Sequence, residues 1–258
     1  MKIRNVWRTA GAAAVLALAV AAGGCLGPRG KVAEELRVGC VADYPPMIFR
    51  QGGTFQGAEA DLARALGARF GRDVKFVAMP FDRLGDALLN GQVDILMAAM
   101  TVTDQRRVRM SFCTPYLVVG QMALVRLPEA RKYRTAVQIM TMNGRVGVVG
   151  GTTGAQLVER NFMNAAKTSF LTAADAIGAL RNNQVDVVIH DAPAVWYAAA
   201  EHEAELTTAG GLLTMEEIAW AVRPGDMALL EAVNAALADW KEDGTLDRIL
   251  GAHFPFSK

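Results

Sequence analysis

Twice along this chain, short apolar runs alternate with stretches whose apolar positions recur at helical spacing, the pattern that a parallel sheet covered by helices imposes. In the first round, residues 36–41, 74–77 and 93–97 read as strands, separated by helices over Ala58–Phe70 and 83–89. Leu62, Leu66 and Phe70, and then Leu84 and Leu88, mark the sides that pack on the sheet. An apolar strand at 121–125 and a charged stretch at 126–134 follow, and the alternation then restarts. Its second round holds strand 146–149, a helix with Leu157, Val158 and Phe162, helix 173–180 and strand 185–189. A last strand at 218–222 precedes two C-terminal helices, one with Val233, Leu237 and Trp240, the other with Leu246, Ile249 and Leu250. The expectation is an α/β fold of two lobes joined by two crossover strands, with residues 36–124 plus 220–258 in lobe 1 and 125–219 in lobe 2. A length of 258 residues accommodates that division. Ligands of such open sheets sit beyond the carboxyl ends of the strands, so the cleft between the lobes is the expected site.

The first 24 residues read as an export signal and are set aside from the fold. Lys2, Arg4 and Arg8 form a basic start, and residues 10–22 form an apolar run. That run is shorter than the ~20 residues of a membrane-spanning helix. Ala22-Gly23-Gly24-Cys25 resembles a bacterial lipobox, which implies lipidation of Cys25 and a membrane anchor. Residues 25–35, polar with Gly and Pro, read as a tether. The expected location is extracytoplasmic, in the periplasm or at the cell surface.

The whole chain carries 27 Lys+Arg against 26 Asp+Glu, so there is no basic surplus for nucleic-acid binding. Removing the leader leaves 24 basic against 26 acidic residues, a net of −2. An apolar fraction of 52% excludes a disordered chain. Cys40 and Cys113 are open to two readings, a disulfide or two small buried hydrophobes, and the second is preferred. No CxxC spacing occurs, and neither a metal nor another cofactor is expected.

Five segments that follow predicted strands carry the informative residues. In Ala42-Asp43-Tyr44-Pro45-Pro46-Met47 the prolines preset an extended turn that presents Tyr44. In Met79-Pro80-Phe81-Asp82, Asp82 suits a helix cap and Phe81 either faces the cleft or packs beneath it. Arg106, after Ala98–Gln105, offers a planar fork that matches a carboxylate, although Arg107 and Arg109 beside it are equally consistent with a solvated basic face. Gly150-Gly151-Thr152-Thr153 is a glycine turn before a helix whose free N–H groups suit an anion; it lacks the lysine of a nucleotide-phosphate loop, so a small carboxylate is favoured. In His190-Asp191-Ala192-Pro193, Asp191 suits either an ammonium partner or a helix cap, and His190 reads as a rim or core residue.

These segments, in this order, carry a family resemblance. LRVGCVADYPPM, GAEADLA, PFDRLGDALLNGQVDILMAAMTVTDQR, SFCTPY, VGVVGGTT, NQVDVVIHDAP and EDGTLDRIL resemble the corresponding stretches of the extracytoplasmic solute-binding proteins of ABC transporters, specifically the polar-amino-acid-binding family, family 3. The resemblance runs from about Leu36 to Phe254. It implies a two-lobed periplasmic-binding-protein-like fold and a monomeric, non-enzymatic subunit. Such a subunit captures a zwitterionic amino acid by cleft closure and delivers it to a permease and its ATPase. It further implies that Arg106 holds the ligand α-carboxylate, with Thr101 and Thr153 adding donors. Asp191 would pair the α-ammonium, helped by the Ala99 carbonyl and the Thr101 hydroxyl, and Tyr44 and Phe81 would flank the ligand side chain.

Departures from the family pattern bear on the ligand. Val41 stands where cation-binding relatives tend to have Asp or Ser, Met47-Ile48-Phe49 replaces Phe-Glu-Phe, and Ala58-Glu59 replaces Phe-Asp. With Met100 and Val149 expected nearby, the side-chain pocket reads as apolar and the ligand as neutral or aromatic. Glu59 reverses that reading if it reaches the pocket. The alternative from another class is a cyclohexadienyl-dehydratase-like enzyme, which resembles these proteins and places a catalytic Glu shortly after the second-lobe Asp. Here Asp191-Ala192 runs on into Pro193-Ala194, without that general acid.

Overall fold

Apolar runs 36–41 and 146–149 become strands of two separate five-stranded sheets, each lying one strand in from an edge. The computed structural model of the protein describes residues 35–254, so the expectations for the leader, for Cys25 and for the tether before Glu35 lie outside the described residues. The first sheet has the order Val74–Ala78, Leu36–Cys40, Ile95–Leu96, Ala221–Val222, Ser111–Phe112, parallel across its first three strands and antiparallel across the rest. The second has the order Ala166–Phe170, Arg145–Val149, Val187–Asp191, Gln121–Arg126, Leu206–Leu212, again with three parallel strands followed by antiparallel ones. The alternation in the sequence thus identified the three parallel strands of the first sheet and two of the three in the second. Among the antiparallel strands, Ser111–Phe112 is too short to show a period, whereas the apolar run at 121–125 was read as a strand.

Helix Ala58–Phe70 forms where its periodicity predicts, burying Leu62, Ala63 and Leu66. Gly71, in the left-handed region, closes its C-terminus, where the Arg72 N–H reaches the Gly67 carbonyl. The first core gathers that helix, the first sheet and the C-terminal helices Met227–Glu242 and Thr245–His253 around Trp220, Leu237 and Trp240. The second sheet carries a separate apolar cluster on each side, one around Leu180 and Val195, the other around Val146 and Phe162. Cys40 and Cys113 are free and buried, and burial pushes each thiol up to about 12. Among the described residues no helix is long and apolar enough to cross a membrane.

The chain crosses between the sheets twice, at Leu117–Val119 and Glu216–Ile218, which pair antiparallel as a two-stranded ribbon. The lobe boundaries expected from sequence therefore shift. Residues 121–124, assigned to lobe 1, lie in the second sheet within Gln121–Arg126, and the return crossing falls before 220. Most of the charged stretch 126–134 is a 3-10 turn, Leu127–Lys132, on the second sheet's side. At the crossing Gly120 is required sterically: a Cβ there would lie 1.9 Å from the Thr214 carbonyl oxygen. The expected strand 218–222 is two short strands, one in the ribbon and one in the first sheet. Ala166–Phe170 went unread because it is an edge strand of mostly exposed, polar residues.

Candidate functional site

The five segments singled out in the sequence all leave the carboxyl ends of parallel strands, and the two sheets turn those ends toward one another. Between them lies a cavity of about 400 Å³. Tyr44, Phe81, Ala99, Thr101, Arg106, Thr153 and Asp191 all line it. Val41, Asp43, Met79, Val149, Leu171, Thr172 and His190 complete most of the wall. Met100, expected beside the side-chain pocket, is not on the wall.

Arg106 rides on the one-turn helix Asp104–Arg107, whose start is capped by the Thr103 hydroxyl accepting from the Arg106 N–H. Its guanidinium donates to the Thr101 carbonyl at 2.8 Å and, across the cleft, to the Gly151 carbonyl at 3.2 Å, with Cζ 5.1 Å from the Phe81 ring centroid. Among the described residues it forms no salt bridge with a carboxylate. Burial pulls its pKa below the usual guanidinium range, while the charges of Asp191 and Glu216 oppose that pull. A desolvated cation whose fork meets only carbonyls is a receptor for an anion.

Asp191 ends the buried strand Val187–Asp191. Tyr44 Oη donates to one of its carboxylate oxygens and Gln121 Nε2 to the other. Tyr44, fully desolvated, has its pKa raised well above the usual phenol range and therefore donates as a neutral group. His190 Nδ1 accepts the Asp191 backbone N–H at 2.7 Å, which leaves the proton of the neutral ring on Nε2. Burial lowers the His190 pKa against the pull of Asp191 and Asp43, so the ring is neutral at pH 7.

Two glutamates act behind the wall. Glu216, on the crossing ribbon, accepts through Oε2 from the hydroxyls of Thr101 (3.0 Å) and Thr153 (2.8 Å), and through Oε1 from Thr214 (2.7 Å). One oxygen thus ties a residue of the first sheet's side to one of the second's. Glu59 is fully buried and does not reach the cavity. Its carboxylate takes the Ala99 N–H (2.6 Å), Tyr116 Oη (2.6 Å) and Trp220 Nε1 (3.1 Å). It thereby holds Ala99, which has φ +48° in a region L residues rarely adopt, in the turn that presents Thr101. Desolvation raises the Glu59 carboxyl to about 7 even though all three donors favour the ionised form. Gln121, Glu216 and Thr172 went unread in the sequence. Gln121 left a usable signal, an amide opening an otherwise apolar strand; Glu216, between exposed Met215 and exposed Glu217, left none. The Gln121 amide is packed so closely that a Cβ on Gly154 would lie 2.6 Å from its Oε1, a buried atom without a partner among the described residues.

Two α/β halves, linked by a two-stranded crossing and closed on a shared cavity, define a two-lobed ligand-binding fold. The chain belongs to the bacterial extracellular solute-binding proteins, family 3, whose model matches residues 36–256. It is 31% identical to a probable histidine-binding protein of Neisseria gonorrhoeae over 95% of this chain and 94% of that relative. It is 27% identical to the L-cystine-binding protein of Escherichia coli K12 over 96% of each chain. Among solved structures, an ancestral amino-acid-binding protein described as a precursor of cyclohexadienyl dehydratase superposes with a TM-score of 0.80 at 33% identity, covering 85% of this chain and 95% of that one. An ancestral arginine-binding protein bound to arginine superposes with a TM-score of 0.81 at 30% identity, covering 86% and 99%.

Proposed function

We propose that this chain is the extracytoplasmic subunit of an ABC import system that captures one zwitterionic amino acid and delivers it, with the cleft closed, to a permease and its ATPase. The carrying observation is the pairing of opposite charges across one cavity, a desolvated Arg106 without a carboxylate of its own and Asp191 held by two neutral donors. In this reading Arg106 grips the ligand carboxylate with help from Thr101 and Thr153. Asp191 and the Ala99 carbonyl receive the ammonium, and Tyr44 and Phe81 flank the side chain. Arg106 comes from the first sheet's side, Thr153 and Asp191 from the second's, so only closure assembles the full clamp and the ligand favours the closed state. Two charge-assisted contacts of ~1.5–3 kcal/mol each and ~1.5–3 kcal/mol for a buried side chain approach the ~8 kcal/mol of a micromolar Kd.

The chemistry is capture without turnover. The helix that Asp191 opens starts Ala192-Pro193-Ala194, with no acidic residue in its first turn where a dehydratase-like general acid would stand. Export by the leader and anchoring through a lipid on Cys25 complete the reading, with the chain acting as a monomer.

Calorimetric titration of the ligand-stripped protein with the proteinogenic amino acids tests it. Micromolar or tighter binding of at least one amino acid is expected, weakened at least 100-fold in Arg106→Ala with the melting temperature of the unliganded protein nearly unchanged. Retained affinity in that variant removes the carboxylate role.

A further inference from the structure

One buried polar group stands where the strand pattern calls for an apolar one. Gln121 opens the otherwise apolar strand Gln121–Arg126 and is fully buried, yet its Oε1 has no hydrogen-bond partner among the described residues. An unsatisfied buried oxygen is a cost that a leucine or methionine would not carry, so the use of the amide lies at its other end, Nε2.

Gln121 faces Asp191 directly in the antiparallel pairing of the second sheet, which sets the two side chains next to each other. Nε2 donates to Asp191 Oδ1 and, at 3.2 Å, to Thr153 Oγ1, with Glu216 Oε2 3.4 Å away. Flipping the amide would aim its oxygen at two carboxylates, so its neighbours fix this orientation. The Thr153 hydroxyl gives its own hydrogen to Glu216 at 2.8 Å and therefore accepts from Gln121. All three partners belong to the second side or to the crossing, whereas Tyr44, the other donor to Asp191, reaches it across the cleft.

In the reading proposed above, Asp191 receives the ligand ammonium and Thr153 helps to hold its carboxylate. The two hydrogens on the planar amide nitrogen diverge at a fixed angle, so Gln121 fixes how far apart those two receptors stand. That separation discriminates between ligands: one carbon lies between the amino and carboxyl groups of an α-amino acid, and two lie between those of a β-amino acid. Space for the amide comes from Gly154, in the first turn of helix Thr153–Asn161, where a Cβ would lie 2.6 Å from Gln121 Oε1 and 3.5 Å from its Cδ.

We infer that Gln121 is a positioning residue, seated by Gly154, that sets the spacing between the ammonium and carboxylate receptors and so makes the site select α-amino acids over their β-homologues. This rests on the amino-acid reading above.

The test is calorimetry on the full-length, ligand-stripped protein and on two variants, Gly154→Ala and Gln121→Met. Gly154 lines no part of the cavity, and the atom nearest to an added methyl group is the end of a flexible side chain. Gly154→Ala therefore pushes the amide aside with the fold kept, which a melting curve checks. Gln121→Met keeps the length of the side chain and removes both donors. The probes are the proteinogenic amino acids, followed by the tightest binder paired with its β-homologue. The wild type is expected to prefer the α-amino acid about 100-fold, within the range that one extra methylene commands. Each variant is expected to narrow that preference about tenfold, mainly by weakening the α-amino acid. A merely structural role for Gln121 would weaken both ligands alike. A preference in Gly154→Ala within threefold of the wild-type value therefore overturns the inference, even where Gln121→Met fails to fold. So does a wild type that binds the two homologues equally. In both cases the amino-acid reading stands, since an amino acid is bound. A wild type that binds none of the proteinogenic amino acids overturns that reading and the inference with it.

Discussion

The two sides of the cleft are built to different standards of rigidity. On the first sheet's side the ligand-facing groups are held from within: Glu59 pins Ala99, Thr103 caps the turn of Arg106, and Arg106 grips the Thr101 carbonyl. On the second, much of the fixing comes from across the cleft. Asp191 accepts from Tyr44, the Gly151 carbonyl accepts from Arg106, and the Thr153 hydroxyl donates to the crossing residue Glu216 and lies 3.3 Å from that of Thr101. The first side is thus held mostly from within, while the second, where Gln121 holds Asp191, relies more on contacts made across the cleft. A ligand meeting the open protein would dock on the first side, and the second would then close over it.

The strongest way to break this asymmetry is to remove its deepest anchor. Glu59→Ala leaves the Ala99 N–H, the Tyr116 hydroxyl and the Trp220 N–H buried without their acceptor, at a cost of about 3–5 kcal/mol. At ~2–4 °C per kcal/mol for a chain of this size, the melting temperature should fall by about 10 °C, and ligand affinity should fall with it as the Ala99 turn relaxes. A thermal shift of one or two degrees would show that the turn holds itself.

The same carboxyl gives a pH signature. Its pKa is about 7 in the folded protein against the ordinary glutamate value of 4.5, so between those values the folded state binds the extra proton. Stability from this group is therefore greatest at acid pH and is lost as pH rises from 4.5 through 7. The expected difference is about 3 kcal/mol at most. Urea denaturation at pH 5 and pH 8 should show that slope in the wild type but not in Glu59→Gln. Equal slopes would assign it to other groups.

How much of this was legible in the sequence follows the same asymmetry. Five of the six parallel strand ends announced themselves, because a Pro, Gly or Thr turns the chain there; the sixth, after Ala166–Phe170, brings Thr172 to the wall and did not. That is how Tyr44, Phe81, Arg106, Thr153 and Asp191 were picked out, and all five lie on one cavity. The residues that brace them were not legible. Glu216 and Gln121 meet Thr153 and Asp191 only through the crossing and the strand pairing, contacts 32 to 70 residues apart in the chain. Glu59 was read as a possible pocket residue because a helix pattern says which positions are buried, not whose N–H a buried carboxylate will meet.

Glu216 sharpens the comparison at an intermediate scale, since it joins the two sides through one oxygen. Glu216→Ala should make the ligand-free protein more open, seen as a larger radius of gyration by solution scattering, and weaken ligand binding about tenfold, or ~1.4 kcal/mol. The substitution also removes a negative charge near Arg106, which alone would favour the ligand carboxylate. Glu216→Gln separates the two effects, because it keeps an acceptor for the threonine hydroxyls while losing the charge. Affinity within threefold of wild type in the Gln variant, alongside the tenfold loss in the Ala variant, would identify the hydrogen-bonded tie as the operative element.

The smallest effect is the most discriminating, because it compares equivalent devices on the two sides. Thr103 and Thr152 each cap a helix start through the side-chain oxygen, accepting the backbone N–H of Arg106 and of Ala155 respectively, both at 3.2 Å. Replacing either by Ala should cost about 1 kcal/mol of stability. Their effects on ligand kinetics should nevertheless differ. Thr103 orders the preformed half, so its loss leaves Arg106 less often aligned at first encounter and should slow association about threefold. Thr152 orders the turn that arrives with closure, so Thr152→Ala should leave association nearly unchanged and speed dissociation about threefold. Stopped-flow fluorescence with the amino acid found by calorimetry reads both rates. If the two variants change the same rate constant, the halves are equally preformed, and the division between a docking side and a closing side fails.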